Sequence, residues 1–216
     1  MRDDPTPEIT PYLLLQAYAS GVFPMADSAL ADEIYWVDPR HRGIIPLEGF
    51  HLSRTLAKRI KKGGFQIAVN RDFAGTVEAC AEREETWINR KIFELYVQLH
   101  RLGHAHSLEV YSDDDSLIGG VYGVTLGAAY FGESMFSRAT DGSKIALAYL
   151  VHRLTSGGFT LFDTQFETDH LASLGGVEVP KADYHGMLAD ALQKPAKFDG
   201  QQTPTAEELV RFYRSR

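Results

Sequence analysis

The chain has 216 residues, 44% of them apolar and 24% charged, with a formal net charge of −7. That length and apolar content suit one large core, alone or with a small appendage, and no apolar run approaches the roughly 18 to 20 residues that span a bilayer. The negative balance disfavours indiscriminate nucleic-acid binding, and the single cysteine, Cys80, excludes an intramolecular disulfide framework and fits a reducing compartment.

The opening "MRDDPTPEIT" is acidic and contains prolines, unlike a signal or transit peptide, so a cytoplasmic protein is expected. Thr10 can cap a first helix, with Pro11 in its first turn and Gly21 at its exit. The next segment, "GVFPMADSALADEIYWVDPRHRG", is loop-heavy and holds two short extended pieces. It reads as a small N-terminal domain, residues 1–39, that ends near Asp38 to Arg40. Residues 40–216 form the larger unit.

"HLSRTLAKRIKKGG" has helical periodicity, with Leu52, Leu56 and Ile60 on one stripe and Arg54, Lys58, Lys61 and Lys62 on the other. No acid occurs from Gly49 to Arg71, a local exception to the negative total. "FQIAV" reads as a strand and "FAGTVEACAE" as a helix. After a loop at Trp87, a long helix places Ile92, Phe93, Tyr96 and Leu99 at core spacing and ends at Gly103.

Strand-like runs separated by "SDDDS" and "TLGA" predict a three-stranded antiparallel meander from His106 to Ser137. Then follow a helix ("SKIALAYLVHRLTSGG"), a strand ("FTLFDTQ"), a short helix ("DHLASLGG") and a strand ("VEVP"). Thr205 and Glu208 form a capping box for the last helix. A meander feeding helix, strand, helix, strand is the layout of an α/β (α+β) protein with an N-acetyltransferase-like (GNAT-like) domain.

In "TLFDTQFETDHLASLGG", residues 160–176, an acid and an amide interrupt apolar sequence. In an extended chain, Asp163 and Gln165 point to the same face and share one place. Without further context, two structural polar groups capping nearby backbone are the more ordinary reading. The basic helix face suits phosphates, which it can track without reading bases, or simply water. His100, His104 and His106 are separated by a glycine and lack a Cys or acidic partner, and "SDDDS" lacks the glycine and distal Glu of a calcium loop. Neither a metal nor a cofactor is expected.

The ordered motifs "YASGVFPM", "YWVDPR", "FHLSRTLAKRIKK", "TWI", "LHRLGHAHSLEV", "GGVYGV", "FGESMFS", "SKIAL", "FDTQ" and "DHLASLGG" closely resemble the bacterial leucyl/phenylalanyl-tRNA–protein transferases, from about Tyr18 to Tyr184. The resemblance implies a small N-terminal domain on a GNAT-like C-terminal domain. It also implies transfer of Leu, Phe or Met from aminoacyl-tRNA to an N-terminal Arg or Lys of an acceptor protein, which marks that protein for N-end-rule degradation. No membrane is involved, and a monomer is expected. This chain departs from the pattern in having Met25 where many members have tryptophan, "YWVDPR" for "WWSPDPR" and "DTQ" for "DCQ".

The resemblance also assigns roles. Asp163 and Gln165 form a catalytic relay onto the incoming amine, with Asp163 hydrogen-bonded to the Gln165 side-chain amide; the ribose 2′-hydroxyl is the alternative proton carrier. Glu133, beside Ser134 and Phe136 in "FGESMFS", meets the cationic acceptor terminus, or else is a surface strand acid. The glycine before it suggests a bend or bulge. Val121, Met135, Leu150, Leu154 and Phe162 match a pocket for the donor side chain, although spacing alone would make them core. Trp87, Tyr96 and Met25 correspond to contacts near the terminal adenosine, with a packed aromatic pair as the alternative for the first two. Arg54, Lys58, Lys61 and Lys62 bind the tRNA. The rival expectations are an acyl-CoA-dependent acetyltransferase, a catalytically silent tRNA-binding module, and transfer to acidic N-termini. The acetyltransferase reading is weakened because "SRATDGSKIAL" lacks the Arg/Gln-x-x-Gly-x-Gly/Ala loop that would hold a pyrophosphate.

Overall fold

The meander forms the centre of the sheet in the computed structural model, which describes residues 9–83 and 85–215. The acidic first eight residues lie outside that range. Strands β5 (Ala105–Ser112), β6 (Leu117–Leu126) and β7 (Ala129–Ser137) are antiparallel neighbours, as the strand-like runs and their turn signals predict. Successive side chains face opposite ways, so Val121 and Tyr130 enter one core while Tyr122 and Phe131 enter the other. Helices α1 (Pro11–Ala19), α3 (Phe73–Ala81) and α4 (Arg90–Arg101) contribute to the second of these cores. Helices α2 (Arg54–Lys62), α5 (Gly142–Ser156) and α8 (Ala206–Arg214) contribute to the first.

Helix α5 buries 11 of its 15 residues, the mark of a helix packed on most of its circumference. It carries the chain from β7 to β8 (Leu161–Gln165), which is parallel to β7 and therefore needs a crossover. The seven-stranded order is β4-β5-β6-β7-β8-β3-β9, with β4 at Phe65–Val69, β3 at His41–Ile44 and β9 at Val177–Pro180. A separate two-stranded ribbon pairs β1 (Phe23–Met25) with β2 (Tyr35–Val37), the two extended pieces expected in the N-terminal segment. A short helix, α6 (Asp169–Ala172), follows β8.

Local chemistry sets the helix ends. Thr10 accepts from the Leu13 amide, Ser53 from Leu56 and Asn89 from Ile92, and the Thr205/Glu208 capping box is complete. In α4, Leu95 takes the core position that spacing assigned to Phe93, which is only half-buried. Two elements were not foreseen. Strand β3 is four residues with no clear alternation, and its partners β8 and β9 are far along the chain. Helix α7 (Lys181–Leu192) has no side-chain N-cap and contains Gly186, yet buries Tyr184, Leu188 and Ala191.

Candidate active site

Strands β7 and β8 pair only as far as Phe131 and Asp163, and then part. The next inward residues, Glu133 and Gln165, meet across the opening, where the Gln165 Nε2 donates to the Glu133 Oε1 at 3.3 Å. The bend expected beside Gly132 is a β-bulge: Tyr122 pairs with Ser134 and Gly123 with Gly132, leaving Glu133 as the extra residue. Glu133 is buried, which corrects the reading of a surface strand acid. Its carboxylate accepts from the Tyr18 hydroxyl at 2.7 Å and the Tyr96 hydroxyl at 2.6 Å, and those hydroxyls are themselves 2.8 Å apart. Burial pushes the Glu133 pKa up to about 7; the two tyrosine hydrogen bonds oppose that shift, and nearby Asp163 reinforces it.

Asp163 has no solvent exposure. Its two oxygens accept from the Arg42 Nε and Nη2 at 2.9 and 2.7 Å, and the Tyr184 hydroxyl adds a third bond at 2.6 Å. The Arg42 guanidinium also donates to the Gly21 carbonyl and lies 4.5 and 4.6 Å from the rings of Phe23 and Tyr184. Burial disfavours its charge, but the hydrogen bond and charge of Asp163 outweigh that, and its pKa is raised. No sequence motif marked Arg42, because its partner lies 121 positions away.

The expected bond from Asp163 to the Gln165 side-chain amide is not formed. Asp163 Oδ1 accepts instead from the Gln165 backbone N–H at 2.8 Å. That contact helps hold Gln165 at φ +59°, a conformation unfavourable for a residue other than glycine, while the Phe166 N–H closes a tight turn onto Thr164. Gly43 on β3 faces this bend: a Cβ there would lie 2.4 Å from the Phe166 carbonyl carbon. Asp163 therefore shapes the backbone under Gln165, and Glu133 takes its side-chain amide.

Above this pair is a cavity of about 300 Å³ whose lining includes Met25, Trp87, Glu133, Ser134, Met135 and Gln165 from the sequence candidates. Phe23, Arg83, Thr164, Phe166, Thr168, His170 and Leu171 complete it. Trp87 is half-buried and packs edge-on against Tyr96, with ring centres 6.5 Å apart. Other candidates lie elsewhere. Tyr96 is fully buried beneath the cavity and holds Glu133, and Phe136 lines an adjoining cavity. Val121, Leu150, Leu154 and Phe162 are packed in the core at no more than 3% exposure, so of the five expected pocket residues only Met135 borders this cavity. Apolar spacing cannot separate a pocket wall from close-packed core.

On α2, Leu56, Ala57 and Ile60 face inward, while Arg54, Lys58, Lys61 and Lys62 are exposed and have no ion pair among the described residues. Arg59 differs from them: its guanidinium caps the Gly63 carbonyl and lies over Phe65. None of these cations lines the cavity.

A mixed sheet with helices packed on both faces, which parts over a buried acid–amide–tyrosine cluster below a cavity, defines an α/β protein with a candidate active site. The sequence matches the family described as leucyl/phenylalanyl-tRNA protein transferase over residues 44–189, and that family's N-terminal domain over residues 7–40. A leucyl/phenylalanyl-tRNA–protein transferase of Cereibacter sphaeroides is 66% identical over 192 residues, 89% of each chain. Another, of Jannaschia sp., is 58% identical over 198 residues, 92% of this chain and 93% of that one. Among solved structures, FemX matches in fold with a TM-score of 0.51 at 13% identity, covering 77% of this chain and 66% of FemX. The chain belongs to the leucyl/phenylalanyl-tRNA protein transferase family. Among the described residues, no helix is long and apolar enough to cross a membrane.

Proposed function

We propose that this enzyme transfers Leu, Phe or Met from aminoacyl-tRNA to the N-terminal Arg or Lys of a protein, marking it for N-end-rule degradation. It acts as a cytoplasmic monomer with a small N-terminal domain, residues 1–39, on a GNAT-like catalytic domain, residues 40–216. The observation that carries this reading is the cavity over Gln165 and Glu133 in a chain 66% identical to a transferase of that name.

The reaction joins an α-amine to an ester carbonyl. The amine has a pKa of about 7.7 to 8.0, so freeing its lone pair at neutral pH costs only about 1 kcal/mol. No strong base is needed; the enzyme must hold the amine against the carbonyl. The Gln165 amide donates to Glu133, which leaves its Oε1 to accept from the amine N–H and orient the lone pair. An anionic Glu133 behind that amide increases electron density at the Oε1. The amine nitrogen bonds to the carbonyl carbon, the bond from that carbon to the ribose 3′-oxygen breaks, and the amine's proton ends on the 3′-oxygen. A carboxamide does not retain a proton, so the neighbouring ribose 2′-hydroxyl passes it on.

The donor adenosine lies in the cavity against Trp87, where aromatic stacking on a base contributes about 1 to 3 kcal/mol. Met25, which lines the same cavity, is unbranched and adapts to the remaining face. Met135 borders the donor side chain. Arg54, Lys58, Lys61 and Lys62 hold the tRNA body through its phosphates.

The test is transfer of label from Leu-tRNA, Phe-tRNA, Met-tRNA and acetyl-CoA to peptides beginning with Arg, Lys, Asp or Glu. Label passing from aminoacyl-tRNA to the Arg and Lys peptides is expected. Transfer from acetyl-CoA alone would overturn the donor assignment, and transfer only to Asp or Glu would overturn the acceptor assignment.

A further inference from the structure

A second cavity, of about 340 Å³, adjoins the first and shares Arg83, Met135 and His170 with it. Its charge differs from that of the first. Arg83 and Arg138 both line it, and Ser137 and Ser143 add hydroxyls. Arg83 donates to the Met135 carbonyl and to Ser134 Oγ, and forms no ion pair among the described residues. Arg138 pairs with Glu82 at 2.6 Å and lies 5.4 Å from the centre of the Phe136 ring. Burial and nearby Lys144 hold the His170 pKa below its ordinary value, which disfavours its charged form. The fixed charge of the wall is therefore two guanidinium groups against one carboxylate.

We infer that this second cavity holds the phosphodiester and the nucleotide immediately 5′ of the tRNA's terminal adenosine. The inference rests on the first cavity holding that adenosine, as proposed above. The RNA strand must leave the first cavity through a neighbouring space, and the adjoining one offers two guanidinium donors for a phosphate. Phe136 and Met135 give it an apolar wall for the base. A cationic peptide terminus meets net positive charge there and is disfavoured, so the acceptor approaches from another side.

The test compares binding of two unreactive donor analogues to the intact protein. One is an amide-linked phenylalanyl aminoadenosine; the other is the same compound extended at its 5′ end by a cytidylyl phosphodiester. Wild type should bind the extended analogue more tightly. Arg138→Ala should reduce that gain by about tenfold, the weight of one charge-assisted contact. Glu82→Ala, which breaks the same ion pair but removes the negative charge, should enlarge the gain. A merely structural role for the Arg138–Glu82 pair would move both variants the same way, and that result would overturn the inference. Equal binding of the two analogues by wild type would also overturn it while leaving the adenosine reading intact. If neither analogue bound, the adenosine reading would fail as well. If Arg138→Ala changed only the KM of the acceptor peptide, the cavity would belong to the polypeptide and the inference would fall.

Discussion

The Arg42 guanidinium grips both carboxylate oxygens of Asp163, at 2.9 and 2.7 Å, and their side chains are only 2% and 0% exposed. The pair joins β3 to β8 directly beneath Gln165. It also ties in the N-terminal segment, through the Gly21 carbonyl and the Phe23 ring, and α7 through Tyr184. A buried charge left without its partner is costly, so the pair behaves as a unit.

Arg42→Ala should therefore destabilise the protein by about 3 to 5 kcal/mol, with transfer reduced because Asp163 no longer holds the turn at Gln165. The double variant Arg42→Met/Asp163→Leu should lose less stability than the sum of its single changes, since neither charge is then stranded. Urea unfolding of the three variants measures this. Additive losses would show that the two side chains do not act together.

Glu133 predicts a pH signature. Two tyrosine protons serve three oxygen–oxygen contacts in the Tyr18–Tyr96–Glu133 triangle when the acid is ionised; protonating it supplies the third. Its folded pKa of about 7 lies above its reference value of 4.5, so its contribution to stability is full below 4.5. That contribution is lost as pH rises to about 7 and is constant beyond, amounting to at most about 3 kcal/mol. Glu133→Gln mimics the protonated form, so its Tm should rise relative to wild type between pH 4.5 and 8. A Tm difference that does not change with pH would contradict the raised pKa.

The turn at Gln165 separates backbone strain from side-chain chemistry. Gln165→Gly should leave stability unchanged or improve it by up to about 1 kcal/mol, because glycine accepts the positive φ, while transfer is lost. Gly43→Ala should do the reverse: the new Cβ meets the Phe166 backbone and costs about 1 to 3 kcal/mol of overpacking, and turnover falls although Gln165 is intact. Thermal melts and single-turnover rates distinguish the two cases.

The exposed cations of α2 should matter for affinity and little for folding. Changing Arg54, Lys58, Lys61 and Lys62 together to alanine should weaken tRNA binding most at low salt. The dependence of log Kd on log salt should flatten by roughly 0.7 to 0.9 for each phosphate that the helix no longer neutralises. Filter binding at several salt concentrations, alongside a melt, provides the measurement. An unchanged slope would remove α2 from the tRNA surface.

Much of the fold could be read along the chain because its causes are local. Strand-like runs divided by two turn signals set the meander, caps at Thr10 and Thr205 set two helix starts, and the Leu56–Ile60 stripe turned the cations of α2 outward. Asp163, Gln165 and Glu133 stood out because polar side chains interrupt apolar strands. Folding decided the roles of these three side chains. Only the assembled sheet shows that β7 and β8 part after Phe131 and Asp163, that Gln165 turns its amide to Glu133, and that Arg42 neutralises Asp163 from 121 positions away. It also shows that Val121, Leu150, Leu154 and Phe162 are core and Met135 is cavity wall. Hydrophobic pattern records that a side chain leaves water, whereas the neighbour it meets depends on strand order and register, which bring distant segments together.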